Sequence, residues 1–148
     1  MRIQGCQYSR FHYFFTTGVV KSPKFPDNYP PNLQKTNIIK VEEGMIVLLQ
    51  FHVFNIEFSS NCEEDSLKIV DGDGTALLPK SCGSFLPKAI TSTSNIIELH
   101  FSTNLWNARP GWNISWVEVI PGKSLRLFLY LNIFNVDSGA LALKSLKI

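Results

Sequence analysis

From Gly18 to Val119 the chain is a succession of short apolar runs, each cut off by a proline- or glycine-rich stretch before a helix could establish itself. The longer runs are MIVLLQFHVF, NIIELHFS and GWNISWVEV, and the shorter ones are GVVK, NIIKVE and DSLKIV. β-Branched and aromatic residues dominate them, and polarity alternates along them. Ile97, Leu99 and Phe101 fall on one side, with Glu98 and His100 on the other. Val47, Leu49 and Phe51 share a face in the same way, as do Trp112, Ile114 and Trp116. The breakers between runs are SPKFPDNYPPN, DGDGT, LPKSCGSFLPK and NARPG. Prolines are read as lying outside strand interiors, where their missing N–H would interrupt a ladder. No helical periodicity of useful length precedes residue 120. This rhythm of many short strands predicts an all-β fold, a β-sandwich. Its expected core is Val47, Leu49, Phe51, Phe54, Leu67, Ile69, Leu99, Phe101, Trp112 and Ile114.

A chain of 148 residues, 45% of them apolar and 18% charged, is large enough for one globular domain with a real core. Its net charge of +2 gives no argument for nucleic acid or membrane. Arg2, Arg10, Lys21, Lys24, Lys123, Arg126, Lys144 and Lys147 are scattered rather than interleaved with stacking aromatics, so they read as a solvated surface. No run is long enough for a transmembrane helix; Leu125–Phe134 comes nearest and is interrupted by Arg126 and Asn132. The N-terminal stretch has early arginines but no long aliphatic segment of the signal-peptide kind. Residues 1–15 read as a poorly ordered flank, residues 16–120 as the domain, and residues 121–148 as an extension. That extension could be an extra strand, a membrane-seeking segment or a non-native addition. Three cysteines, Cys6, Cys62 and Cys82, leave one over if a disulfide forms.

The acidity of the chain is local. Six of its 12 acids (Glu57, Glu63, Glu64, Asp65, Asp71 and Asp73) fall between positions 57 and 73. A metal site, a catalytic carboxylate cluster and a strand with charged ends all fit that pattern. DGDG lacks the next ligand and glycine of an EF-hand, having Thr75 and Ala76 there, and reads as a turn. There is no zinc-helix, nucleophile-elbow or phosphate-loop motif. His12, His52 and His100 have no partner histidine at ligand spacing. Carboxylates at exposed strand ends offer neither the pocket nor the raised pKa of acid–base catalysis, so the chain reads as non-enzymatic. Asn113-Ile114-Ser115 is a glycosylation sequon, and alternation turns Asn113 away from Trp112 and Ile114 on what reads as an edge-proximal strand.

Taken in order, these pieces resemble a CUB domain, an extracellular β-sandwich module, and the resemblance implies an antiparallel sandwich of about ten strands in a jelly-roll or Greek-key-like arrangement. GVVKSPKFPDNYPPN resembles the family's opening glycine followed by Ser-Pro-x-(Phe/Tyr)-Pro-x-x-Tyr-Pro. VLLQFHVFNIE resembles its strand ending Phe-x-x-Phe-x-x-Glu, and CEEDSLKIVDG resembles Cys-x-Tyr-Asp-x-Leu-x-(Ile/Val)-x-Asp-Gly. SCGSFLP, IIELHFSTN and PGWNISW resemble its Cys-Gly and its last strands. The resemblance runs from about Gly18 to Val119 and leaves Cys6 outside. It implies a disulfide between Cys62 and Cys82, and hence a secreted or extracellular setting. The positions aligned with the family's first disulfide hold Thr16 and Lys35, and its usual tryptophan is Asn37, so that bridge is expected to be missing.

The resemblance also implies a calcium-ligand set at Glu57, Asp65 and Asn104, with a neutral amide at the third position and Glu64 in place of a tyrosine. Two readings follow. One is a degenerate site that binds calcium weakly; the other is an acidic loop without cofactor that meets a partner's lysine or arginine directly. If Glu64 and Asp65 lie on a strand, they should face opposite ways and Glu64 should not assist. The implied function is recognition of an extracellular protein through loops at one end of the sandwich. The alternatives are a non-catalytic regulatory fragment of a longer secreted protease or growth factor, and a carbohydrate-binding secretory protein.

Overall fold

The computed structural model describes residues 16–122. The expected N-terminal flank, the state of Cys6 and the role of the apolar C-terminal stretch lie outside the described residues. Eight strands are present among them, against the ten or so expected: β1 (Thr17–Lys21), β2 (Gln34–Lys40), β3 (Ile46–Asn55), β4 (Ser66–Asp71), β5 (Ala76–Ser81), β6 (Ile90–Thr91), β7 (Ile96–Ser102) and β8 (Gly111–Val119). They form two four-stranded antiparallel sheets, in the orders β1-β8-β3-β6 and β2-β7-β4-β5.

The alternation read in the sequence is what the sandwich buries. All ten expected core residues are buried in one cluster, joined by Tyr29, Ile39, Val41, Ile56 and Ile97. Burying apolar faces of this kind contributes roughly 25 cal/mol per Å² and holds the sheets together. One detail departs from strict alternation. Phe51 and Phe54 are three apart, yet both face the core, because the β3–β8 register shifts between Phe51 and Val53. His52 is the extra residue, so Phe51 opposes Ile114 and Phe54 opposes Trp112. From the core a chain of edge-to-face aromatic contacts runs outward, from Trp112 to Phe101 at 5.9 Å and from Phe101 to Tyr29 at 5.2 Å.

Two local expectations are corrected. Pro79 lies inside β5, in a stretch that reads as a turn. β5 is an edge strand with two register shifts against β4, so a missing N–H costs it little. β8, expected near an edge, lies between β1 and β3. Asn113 does face away from Trp112, but Lys21 and Val53 flank it on the two sides. Its Oδ1 is buried without a hydrogen-bond partner among the described residues.

Candidate functional site

Four connections meet at one end of the sandwich. Registry fixes this: Ser66 opposes Ser102, Asn55 opposes Gly111, Lys21 opposes Asn113, and Gln34 opposes Ser102. The β1–β2, β3–β4 and β7–β8 loops therefore emerge together, and the start of the β5–β6 loop joins them through the bridge between Ile56 and Gly83. Cys62 and Cys82 are bonded across this end with a Cα–Cα distance of 5.5 Å, tying the β3–β4 loop to the end of β5.

These loops bring Glu57, Glu64, Asp65 and Asn104 together. Asp65 is fully buried. Its Oδ1 accepts the Asn104 backbone N–H at 2.6 Å, and its Oδ2 accepts the Tyr29 hydroxyl at 2.5 Å. Tyr29 in turn accepts the Glu57 backbone N–H at 3.0 Å. Burial, and then the bond to Asp65, push the Tyr29 phenol pKa well above its ordinary value, so it stays a proton donor. Nδ2 of Asn104 donates to Oε2 of Glu57 at 3.1 Å and to Oε2 of Glu64 at 2.9 Å. Oε1 of Glu57 accepts Asn107 Nδ2 at 2.7 Å. Glu64 does reach the site. Strand alternation does not govern it, because β4 begins only at Ser66 and positions 64 and 65 belong to the loop.

Sequence reasoning misses Tyr29 and Asn107. Tyr29 belongs to the matched Tyr-Pro pair, and an aromatic residue with a polar handle beside prolines is the available signal. Asn107, in a left-handed backbone conformation (φ 52°), carries none. The structure also separates acids that the sequence puts side by side. β4 carries the chain from this end to the other, so Asp71 and Asp73 sit far from Glu57 and Glu64 in the fold. Asp71 is buried there and accepts hydrogen bonds from Thr93 and Ser94.

Around the acidic junction lie exposed apolar side chains. Phe58 follows Glu57 and is 80% exposed, Phe85 follows the disulfide and is 85% exposed, and Trp106 sits beside Asn104 at 71%. Leu105 is exposed as well. Among the described residues no lysine or arginine forms an ion pair with the junction carboxylates, and no group of three or more His, Cys, Asp or Glu is disposed to hold a metal.

A two-sheet antiparallel sandwich with one loop end stapled by a disulfide defines a class of small β-sandwich modules. The CUB domain family matches residues 6–116, and the chain belongs to that family. The match begins at residue 6, so Cys6 falls within it rather than before it. Rat cubilin is 34% identical over 124 residues, which is 84% of this chain and 3% of cubilin. The chain thus spans a small part of the curated relatives it matches. A MASP-1 CUB2 domain solved bound to Ca²⁺ superposes with a TM-score of 0.63 and 33% identity, covering 68% of this chain and 90% of that one. The full extracellular region of zebrafish Gpr126/Adgrg6 contains a similar unit, with a TM-score of 0.65 and 28% identity, covering 70% of this chain and 14% of that one.

Does the junction fit calcium? The ion needs oxygen lone pairs. Here Asn104 turns hydrogens toward the carboxylates, and its Oδ1 is engaged by the Trp106 backbone N–H at 2.7 Å. As arranged, the donor set does not fit the ion.

Proposed function

We propose that this chain is a non-catalytic extracellular recognition module that binds a protein partner at the junction end, through a lysine or arginine flanked by apolar residues. The observation that supports this reading is the convergence of Glu57 and Glu64 with exposed Phe58, Phe85, Leu105 and Trp106 on one end. A cation entering here meets carboxylates that form no ion pair with a lysine or arginine among the described residues, while exposed Phe58, Phe85, Leu105 and Trp106 supply apolar area. Membership in the family, and similarity to a unit of an extracellular region, support the setting. The carboxylates are engaged by amides and a phenol, which suits a rigid binding surface better than proton transfer.

An NMR titration with N-acetyl-lysine methylamide tests the reading. Shifts should concentrate at residues 57–65 and 104–107, and Glu57→Gln with Glu64→Gln should abolish them. Shifts confined to the opposite end, or none at saturating probe, would overturn it. The small share of cubilin that the chain matches favours a second reading, a regulatory unit working inside a longer secreted chain. A longer transcript carrying a protease or growth-factor domain would support that one.

A further inference from the structure

We infer that the Asn104 carboxamide does in this chain the cross-linking that a divalent cation would do between the same loops, so that the junction is built and held without calcium. One residue serves three carboxylates. Its backbone N–H takes Asp65, and the two hydrogens of Nδ2 take Glu57 and Glu64. The amide's direction is fixed from the other side, because Oδ1 accepts the N–H of Trp106 two residues on, the local turn that Asn side chains favour. The backbone carbonyl of Asn104 also accepts the Asn32 N–H at 2.6 Å, which ties in the β1–β2 loop. A single planar group thus joins the β3–β4 loop to the β7–β8 loop.

Asn104 could serve as a ligand to an ion only if Oδ1 turned inward. That rotation gives up the Trp106 bond, strips Glu57 and Glu64 of their shared donor, and leaves NH₂ facing an N–H. A carboxylate at position 104 would behave in the opposite way. It has no hydrogens to offer, would repel the three acids when no ion is present, and would complete an all-oxygen donor set when calcium is present. The consequence for the molecule is electrostatic. An amide bridges the carboxylates but does not neutralise them, so this end keeps its negative charge whatever the calcium concentration. The assembly of the junction does not rest on the partner reading, and its test contains no partner.

The experiment compares thermal melts of the wild type and Asn104→Asp in EDTA and in millimolar calcium chloride, with magnesium as a control. The wild type should melt at the same temperature in all three. Asn104→Asp should melt several degrees lower in EDTA and recover in calcium but not in magnesium. Wild-type stabilisation by calcium would overturn the inference, as would a variant indifferent to calcium. Should the variant fail to fold, the wild type still decides. The Asn104 side-chain amide protons should resist exchange equally in EDTA and in calcium, and calcium calorimetry should show no heat that Asp65→Ala removes; rapid exchange in EDTA, or such a heat, would sink it.

Discussion

Asp71 shows how much a single carboxylate can depend on its setting. It is buried at the end opposite the junction, where it accepts the Gly72 N–H at 2.8 Å, the Thr93 N–H at 2.6 Å, the Thr93 hydroxyl at 2.9 Å and the Ser94 hydroxyl at 2.5 Å. Burial pushes its pKa up, but the bonds from Ser94, Thr93 and Gly72 outweigh that and hold it at about 2, below the ordinary 3.8. The folded state therefore favours the ionised form. Stability from this group is complete above pH 4 or so and is lost as pH falls from there through about 2. The linked free energy is on the order of 2 kcal/mol. Urea melts as a function of pH should show that loss, and Asp71→Asn should flatten it while lowering stability at neutral pH. An unchanged acid limb in the variant would mean that other groups carry it.

At the scale of elements, Gly18 in β1 and Gly111 at the start of β8 have packing reasons. A Cβ at Gly18 would lie 2.7 Å from the Trp116 indole, so a side chain there would force the ring off its place over β1. At Gly111, with φ +86°, a Cβ would come within 2.6 Å of the Ser22 Cβ. That close approach lets Ser22 bond to both Pro110 and Trp112 and hold the start of β8. The disulfide works between elements in the same way. It spans a sequence separation of 20 and fixes the loop that delivers Glu64 and Asp65. Cys82→Ser should cost about 2–5 kcal/mol in denaturant melts and lower secretion yield. Secretion and midpoint equal to wild type would show that the bond is dispensable to the fold.

At the scale of the molecule, the acidic segment of the sequence serves two separate purposes. Its first half enters the junction with the aromatic rim, and its second half, beyond β4, closes the far end. Binding of a basic partner should therefore depend on one end alone. Glu57→Gln with Glu64→Gln should abolish the shifts induced by the lysine probe, whereas Asp73→Asn, in the exposed turn at the far end, should leave them unchanged. Rising salt should weaken the binding progressively, as it does for exposed charges. Equal losses in both variants would mean that overall charge attracts the probe and that the junction does not recognise it.

Much of this architecture is legible in the amino-acid sequence. Period-two alternation marks which side chains a strand must hide, and ten such residues are buried together. The order of six short motifs carries the family and, through it, the Cys62–Cys82 pair. The edge strands β5 and β6 are less legible: β5 includes a proline and β6 is two residues long, so neither has a repeat to detect. The site is legible only as a set of positions. The family resemblance points to Glu57, Asp65 and Asn104, but not to the direction of the Asn104 amide, the arrival of Glu64 or the Tyr29 hydroxyl. Those bonds join residues 36 to 47 apart in the chain. Alternation is a property of neighbours, whereas the meeting of two loops is set by the registers of all the strands between them. Local alternation is enough to say which side chains must be hidden, but it takes the packed sheets to bring three distant acids against one asparagine.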